Sequence, residues 1–196
     1  MIDDILKDTL APALKRLAFK RRGLCWNRRR GAFVDVISIQ KARFSTQEEE
    51  HIKGYVAVCV PEFREIIFGP SPPFFTEADG IFSFRFTELE MNDLSGRVLD
   101  TWWKIRKENS KSIACDLQRL IAHKAVPFFD SCSSFIEAER LVCCKEGGLS
   151  KTPYFQLNKA LLYWKLGEDE KCNEIISSID KWPEKVELIR GVLGRV

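Results

Sequence analysis

Apolar residues recur at three- and four-residue spacing near the start of the chain: Ile2, Ile5, Leu6, Leu10, Ala13, Leu14 and Leu17. That spacing lines one face of an α-helix and predicts a helix over 2–17. Asp3, Asp4 and Asp8 near its start and Lys15 and Arg16 near its end match the helix dipole. Pro12 removes a backbone donor, so a kink or interruption is expected there. After Gly23 the period falls toward two. Leu24 to Asn27 is expected to pair with Phe33 to Gln40 across a turn of Arg28-Arg29-Arg30-Gly31. Val34 and Val36 face one way and Phe33, Ile37 and Ile39 the other, which fits a central strand covered on both faces. Thr46 to His51 reads as a charged loop and Tyr55 to Val60 as a third strand ended by Pro61.

Glu62 to Phe68 fits either a short helix or an extended edge, and Gly69-Pro70-Ser71-Pro72-Pro73 is a break. From Ile81 to Thr87 the alternation is cleanest, with Phe82, Phe84 and Phe86 opposite Ser83, Arg85 and Thr87. From Leu99, Trp102 and Trp103 onward the period lengthens to that of a helix. Ile113, Leu117, Leu120 and Ile121 predict an amphipathic helix that stops before Pro127. Ser134-Phe135-Ile136-Glu137 fits a capping box opening a helix that Gly147-Gly148 closes. Tyr154 to Leu166 and Glu170 to Ile179, joined across Gly167, predict an antiparallel helical hairpin, and Pro183 starts a last helix over Glu184 to Val192. The hairpin resembles one tetratricopeptide unit, but no second copy follows at a period of about 34 residues, so a cap on the preceding part is expected rather than a solenoid.

Helix, then strands, then helices, without β-α alternation, argues for an α+β fold. The expected architecture is an N-terminal helix, an antiparallel sheet of about four to five strands and a C-terminal α-helical portion. Residues 1–130 would form the α+β part, and residues 131–196 a helical cap packed on it.

Composition changes this picture little. Of the 196 residues 45% are hydrophobic and 30% charged, the balance of a globular chain rather than a disordered or low-complexity one. No apolar run is long enough to span a bilayer, and Met1-Ile2-Asp3-Asp4 does not open a secretory signal, so a cytoplasmic protein is expected. The seven cysteines, Cys25, Cys59, Cys115, Cys132, Cys143, Cys144 and Cys172, then read as reduced, mostly buried thiols. With no Cys-x-x-Cys and only His51 and His123 as imidazoles, no metal site is expected.

Charge changes it more. Residues 1–45 hold 11 basic and 4 acidic side chains, whereas residues 46–100 hold 4 basic and 11 acidic. Lys15, Arg16, Lys20, Arg21, Arg22, Arg28, Arg29 and Arg30 follow one another with no acid between. A patch of this kind suits nucleic-acid phosphates. The simpler expectation is a solvated face balanced by Glu48-Glu49-Glu50, Glu62 and Glu65, because nucleic-acid-binding fingerprints are missing. Nucleotide loops and the Gly-x-Ser-x-Gly elbow are also missing. His51, His123 and the Glu88/Glu90 pair remain as acid–base candidates, the two glutamates sharing a face if they lie on a strand. Asp93 and Asp100 follow them. Nothing makes these groups converge, so no catalytic residue and no cofactor are expected. Of the adjacent Trp102 and Trp103, one is expected to pack inward and the other to cover the sheet edge or a partner.

Leu10 to Gly23 resembles the opening of the bacterial domain-of-unknown-function family 4304, in which a helix leads into a turn and a strand. Val34 to Lys41, Tyr55 to Pro61, Ile81 to Leu89 and Asp100 to Trp103 are similar to its later strands and its tryptophan segment. Ala18, Ala42 and Val58 stand where glycine, serine and glycine are usual in that family. The resemblance covers about the first 130 residues and implies a fold and a bacterial cytosolic origin, but no activity. Size, opposed charge blocks and the lack of a catalytic constellation together suggest a binding protein. The concrete expectation is a cytoplasmic immunity protein that occludes the active site of a cognate toxin, touching it through Arg28, Arg29, Arg30, Glu48, Glu49, Glu50 and Trp103. The alternative expectation is nucleic-acid association through the Lys15–Arg30 patch.

Overall fold

A computed structural model describes residues 2–91, 102–144 and 152–194. The predicted first helix forms as α1 (Ile2–Ile5), a π turn (Leu6–Leu10) and α2 (Ala11–Arg16). A second copy of the same arrangement occurs later: α5 (Ser110–Leu120), a π turn (Ile121–Ala125) and α6 (Val126–Ser131). In both, the π turn hands over to a helix with proline at its second position, Pro12 or Pro127. The wider turn absorbs the proline, so the second helix continues past Pro127 instead of stopping before it. Each carries a buried row spaced by four: Leu6, Leu10 and Leu14 in one, Leu117, Ile121, Ala125 and Phe129 in the other. A four-residue step in a regular helix overshoots a full turn by about 40°. A π turn removes that drift and keeps each row against the core. Gln118 Nε2 donates to the Thr9 carbonyl at 3.2 Å, fastening one π segment to the other helix.

The sheet has six strands, all pairings antiparallel. The strands β1 (Lys20–Arg22), β2 (Cys25–Arg30), β3 (Phe33–Lys41) and β4 (Glu50–Cys59) lie side by side. The far edge of β4 pairs with β5 (Phe82–Arg85) and, further along, with β6 (Trp103–Ile105). The turn between β2 and β3 is Gly31-Ala32, not the arginine run: Arg30 stands opposite Phe33 and Gly31 takes φ 55°. The tryptophan pair leads into a strand rather than a helix, and β4 begins at Glu50, inside the predicted loop. The undecided segment after β4 is a helix, α3 (Pro61–Phe68). The strand at Ile81 is shorter than its alternation suggested, because α4 (Phe86–Met91) starts at the third phenylalanine.

Alternation along the strands divides the sheet into two faces. Trp26, Ile37, Val56, Phe82 and Phe84 face the two π-turn helices in the main core. The other face is smaller. There Val34, Val36, Ala57 and Cys59 are covered by Phe75, from the irregular strap that follows α3. Gly54 lies under the Phe86 ring, where a Cβ would come within 2.2 Å of Phe86 Cδ2, so only glycine permits that approach.

The remaining helices are α7 (Phe135–Cys144), α8 (Pro153–Lys165), α9 (Asp169–Ser178) and α10 (Pro183–Leu193). The capping serine acts as expected, Ser134 Oγ accepting from the Glu137 N–H at 3.3 Å, while the Glu137 carboxylate accepts from the Ser133 N–H at 2.9 Å. Gly147-Gly148, Leu99, Asp93 and Asp100 lie outside the described residues. Phe135, Leu157, Leu161, Cys172 and Ile189 join the main core, so the helical part and the sheet share one apolar interior. Tyr154 OH donates to the Asp79 carbonyl at 2.8 Å, tying α8 to the end of the strap. Among the described residues no helix is long and apolar enough to cross a membrane.

Candidate functional site

The eight-cation run is split by strand alternation. Asp35 is fully buried in the middle of β3, and Arg28 stands directly opposite it. Arg28 Nε donates to Asp35 Oδ2 at 2.7 Å, and Arg30 binds both oxygens through Nε and Nη2 at 2.7 Å each. Arg30 Nη2 also reaches the carbonyls of Phe129 and Cys132 at 2.7 and 3.2 Å, bolting the end of α6 to the sheet. Arg28 lies over the Phe19 ring at 4.9 Å and contacts Asp130 at 3.3 Å. The Asp35 hydrogen bonds raise the pKa of the Arg30 guanidinium above its ordinary value. Two of the three arginines expected at a partner surface are therefore internal fasteners, because a buried carboxylate demands such compensation.

Arg29 points the opposite way. It shares the outer face with Lys20 and Asn27, Lys20 being directly opposite Asn27. Lys15, Arg16, Lys20, Arg21, Arg22 and Arg29 are all exposed. Among the described residues none of them pairs with a carboxylate. Arg21 Nε donates to the Gly23 carbonyl at 2.8 Å and lies over Trp26 at 5.4 Å. These six cations follow one edge of the molecule, from the end of α2 through β1 to β2. A cleft of about 310 Å³ opens beside them, between the sheet and the strap. Asn27 builds its wall: its Nδ2 donates to the Phe75 carbonyl at 2.9 Å and its Oδ1 accepts from the Phe75 N–H at 2.7 Å. Ala18, on the rim, holds φ 64°, a backbone region where glycine is favoured.

The acidic run is largely consumed within the fold. Glu50 is buried and pairs with Lys41. Glu49 Oε2 accepts from Arg106 Nε at 2.6 Å, and Glu49 Oε1 lies 2.7 Å from His51 Nε2. The Arg106 hydrogen bond, with His51 second, holds the Glu49 carboxyl below the usual carboxylate range. Glu62 pairs with Lys165. Only Glu48 of the three glutamates is fully exposed, on the rim of an open cleft of about 780 Å³ that it shares with Asp4, Asp8, Lys107, Glu108 and Lys111. Of the acids expected to balance the basic run, Glu49, Glu50 and Glu62 therefore pair elsewhere, while Glu48 and Glu65 stay exposed.

Trp103 packs against Phe86 at 5.8 Å on the core side, not toward a partner. Trp102 takes the outward place, with Lys53 over its ring at 4.0 Å and Phe44 edge-on at 5.7 Å. Phe44, 61% exposed at the tip between β3 and β4, also meets the His51 ring at 4.7 Å. Sequence reasoning missed Phe44, although an aromatic residue in a charged loop was a visible signal.

The acid–base candidates do not converge. Glu88 is buried and accepts from the Arg85 N–H, capping α4, while Glu90 is exposed. On a helix, positions two apart face away from each other, so the pair shares no face. His123 is exposed on the second π turn, far in sequence and element from His51. Burial raises the thiol pKa of Cys25 and Cys132 to about 12 and of Cys172 to about 11, and pushes Cys59 well up, which keeps these thiols protonated. Among the described residues no three His, Cys, Asp or Glu side chains group to hold a metal ion.

A family model described as "Domain of unknown function (DUF4304)" matches residues 10–131, which span α2, the whole sheet and the second π-turn helix. No curated protein and no solved structure matches the chain.

Proposed function

The chain belongs to the DUF4304 family, and from that premise we propose that it is a non-catalytic binding protein. Specifically, we propose an immunity protein that neutralises a cognate bacterial toxin by seating its basic edge on an acidic surface at the toxin's active site. The observation that supports this reading is the set of six exposed, unneutralised cations along α2, β1 and β2, while Glu49, Glu50 and Glu62 are engaged elsewhere. The basic block keeps six such charges, whereas of the Glu48-Glu49-Glu50 run only Glu48 stays exposed. Complementary charge of this kind speeds encounter and selects the partner. The reading places the protein in the cytosol, where seven unpaired thiols are at home.

The test is capture of a stoichiometric protein partner, followed by assay of that partner's own toxicity or enzymatic activity with and without this chain. Inhibition is expected. Reversing Lys20, Arg22 and Arg29 to glutamate is expected to slow association at least tenfold and to flatten its salt dependence. Arg28 and Arg30 are unsuitable probes, because changing them strips Asp35 of its partners. Absence of a stoichiometric protein partner, with no toxin encoded beside the gene, would count against the reading. Salt-sensitive retention of oligonucleotides in place of protein capture would transfer the edge to nucleic-acid binding.

A further inference from the structure

The cleft beside the basic edge has a composition that a merely solvated face does not need. Lys20 and Arg29 sit on the same sheet face, diagonally placed across the β1–β2 ladder. Like charges so placed repel one another, and among the described residues no carboxylate pairs with either. Between them the lining is mixed, with Ala18 on one rim, Phe74 on the wall and Val34, itself almost fully buried, adding little open surface. That wall is fixed in place, since the adjacent Phe75 backbone is held on both its N–H and its carbonyl by Asn27, a 91% buried side chain. The cleft is thus preformed, with two cations at its mouth and a lining that is part polar and part apolar.

We propose that this cleft is the anchoring subsite for an acidic segment of a partner protein, taking a carboxylate side chain between Lys20 and Arg29 and a neighbouring apolar side chain against Phe74. The inference rests on the binding-protein reading and deepens it. A carboxylate placed there turns one repulsion into two charge-assisted hydrogen bonds, with arginine offering a bidentate fork. The apolar neighbour displaces water from Phe74, and the fixed wall lowers the ordering cost of binding. A single-stranded nucleic acid would use a row of aromatic platforms along a cationic track. Here one aromatic wall and two cations converge on a single cleft, which favours a side-chain anchor.

The probe is a capped pentapeptide of four glutamates around a central leucine, titrated into the full chain by calorimetry and by amide chemical shifts. Its controls are the glutamine version of the same peptide and an oligothymidylate of similar charge. The expected result is preferential binding of the acidic peptide, with the largest shifts around Lys20, Arg29 and Phe74. Arg29→Ala should weaken it at least tenfold and Phe74→Ala at least threefold, whereas the Lys15→Ala/Arg16→Ala double variant should weaken it less than threefold. An equal loss in that double variant, or no peptide binding at millimolar concentration, overturns the cleft while leaving the edge as a diffuse partner surface. Preference for the oligothymidylate at the same residues overturns the cleft and the protein-partner reading together. Lys20, Arg29, Lys15 and Arg16 are exposed, so their variants should remain folded.

Discussion

Arg28 and Arg29 are neighbours in sequence and opposites in structure. Arg28 turns toward the helices, where Asp35 and the rings of Phe19 and Phe129 surround it. Arg29 turns outward, where among the described residues no acid pairs with it. Arg30 rejoins Arg28 on the inner face. A basic run on a strand is therefore two populations separated by parity. One compensates a buried carboxylate and holds α6 to the sheet; the other is left to meet whatever the molecule meets. Counting the run as one patch overstates the surface charge and hides the fastener.

The largest effect that sharpens this contrast should come from the carboxylate between the arginines. Asp35→Ala leaves Arg28 and Arg30 without their shared partner in a largely dry site and should cost about 3–5 kcal/mol in chemical denaturation. Arg29→Ala should change stability by less than about 0.5 kcal/mol in the same assay. Equal costs would erase the distinction. Next comes the strap beside Arg29: Asn27→Ala strands the Phe75 N–H and carbonyl and should cost about 2 kcal/mol, with faster hydrogen exchange at the Phe75 amide.

The buried thiols add a pH dependence. Burial raises Cys25 and Cys132 from the ordinary 9.0 to about 12. Above pH 9 the unfolded chain ionises while the folded one does not, so their stabilisation is complete below pH 9 and is lost as pH rises from 9 toward 12. Each should contribute a fall of about 1.4 kcal/mol per pH unit in that window, measurable by denaturation at pH 8, 9 and 10. A smaller effect, and a stabilising one, belongs to the rim of the outer cleft. Ala18→Gly should relieve a left-handed backbone and stabilise the protein by about 0.5–1 kcal/mol, read as a rise in Tm.

Much of the fold was legible because burial imposes period. Phe33 to Ile39, apolar on both faces, is indeed the covered strand β3, buried along that whole stretch. The β2–β3 turn was illegible because a run of three arginines before a glycine reads as loop, whereas Gly31-Ala32 alone closes the hairpin. Two turn residues would have placed Arg28 opposite Asp35 and shown that a lone acid in an apolar strand needed those cations. The strand β1 was hidden because its three residues are all charged and exposed, leaving no apolar alternation to read. The site was less legible than the fold, since which charges stay unpaired depends on strand register for Asp35 and Glu50 and on partners far away in sequence for Glu49 and Glu62. The glycine that the family resemblance led one to expect at position 18, by contrast, has a physical account in the φ of 64° that alanine must hold.

A π turn is in effect an α-helix carrying one extra residue, with the helices on either side keeping their facing. The two π segments are therefore places where the chain can be shortened by one residue without turning Leu14 away from Leu6, or Phe129 away from Leu117. Such a deletion must be accompanied by replacement of Pro12 or Pro127, whose ring would clash with the tightened turn before it. In these helices length and proline are coupled: a natural or designed variant that loses one is expected to have lost the other.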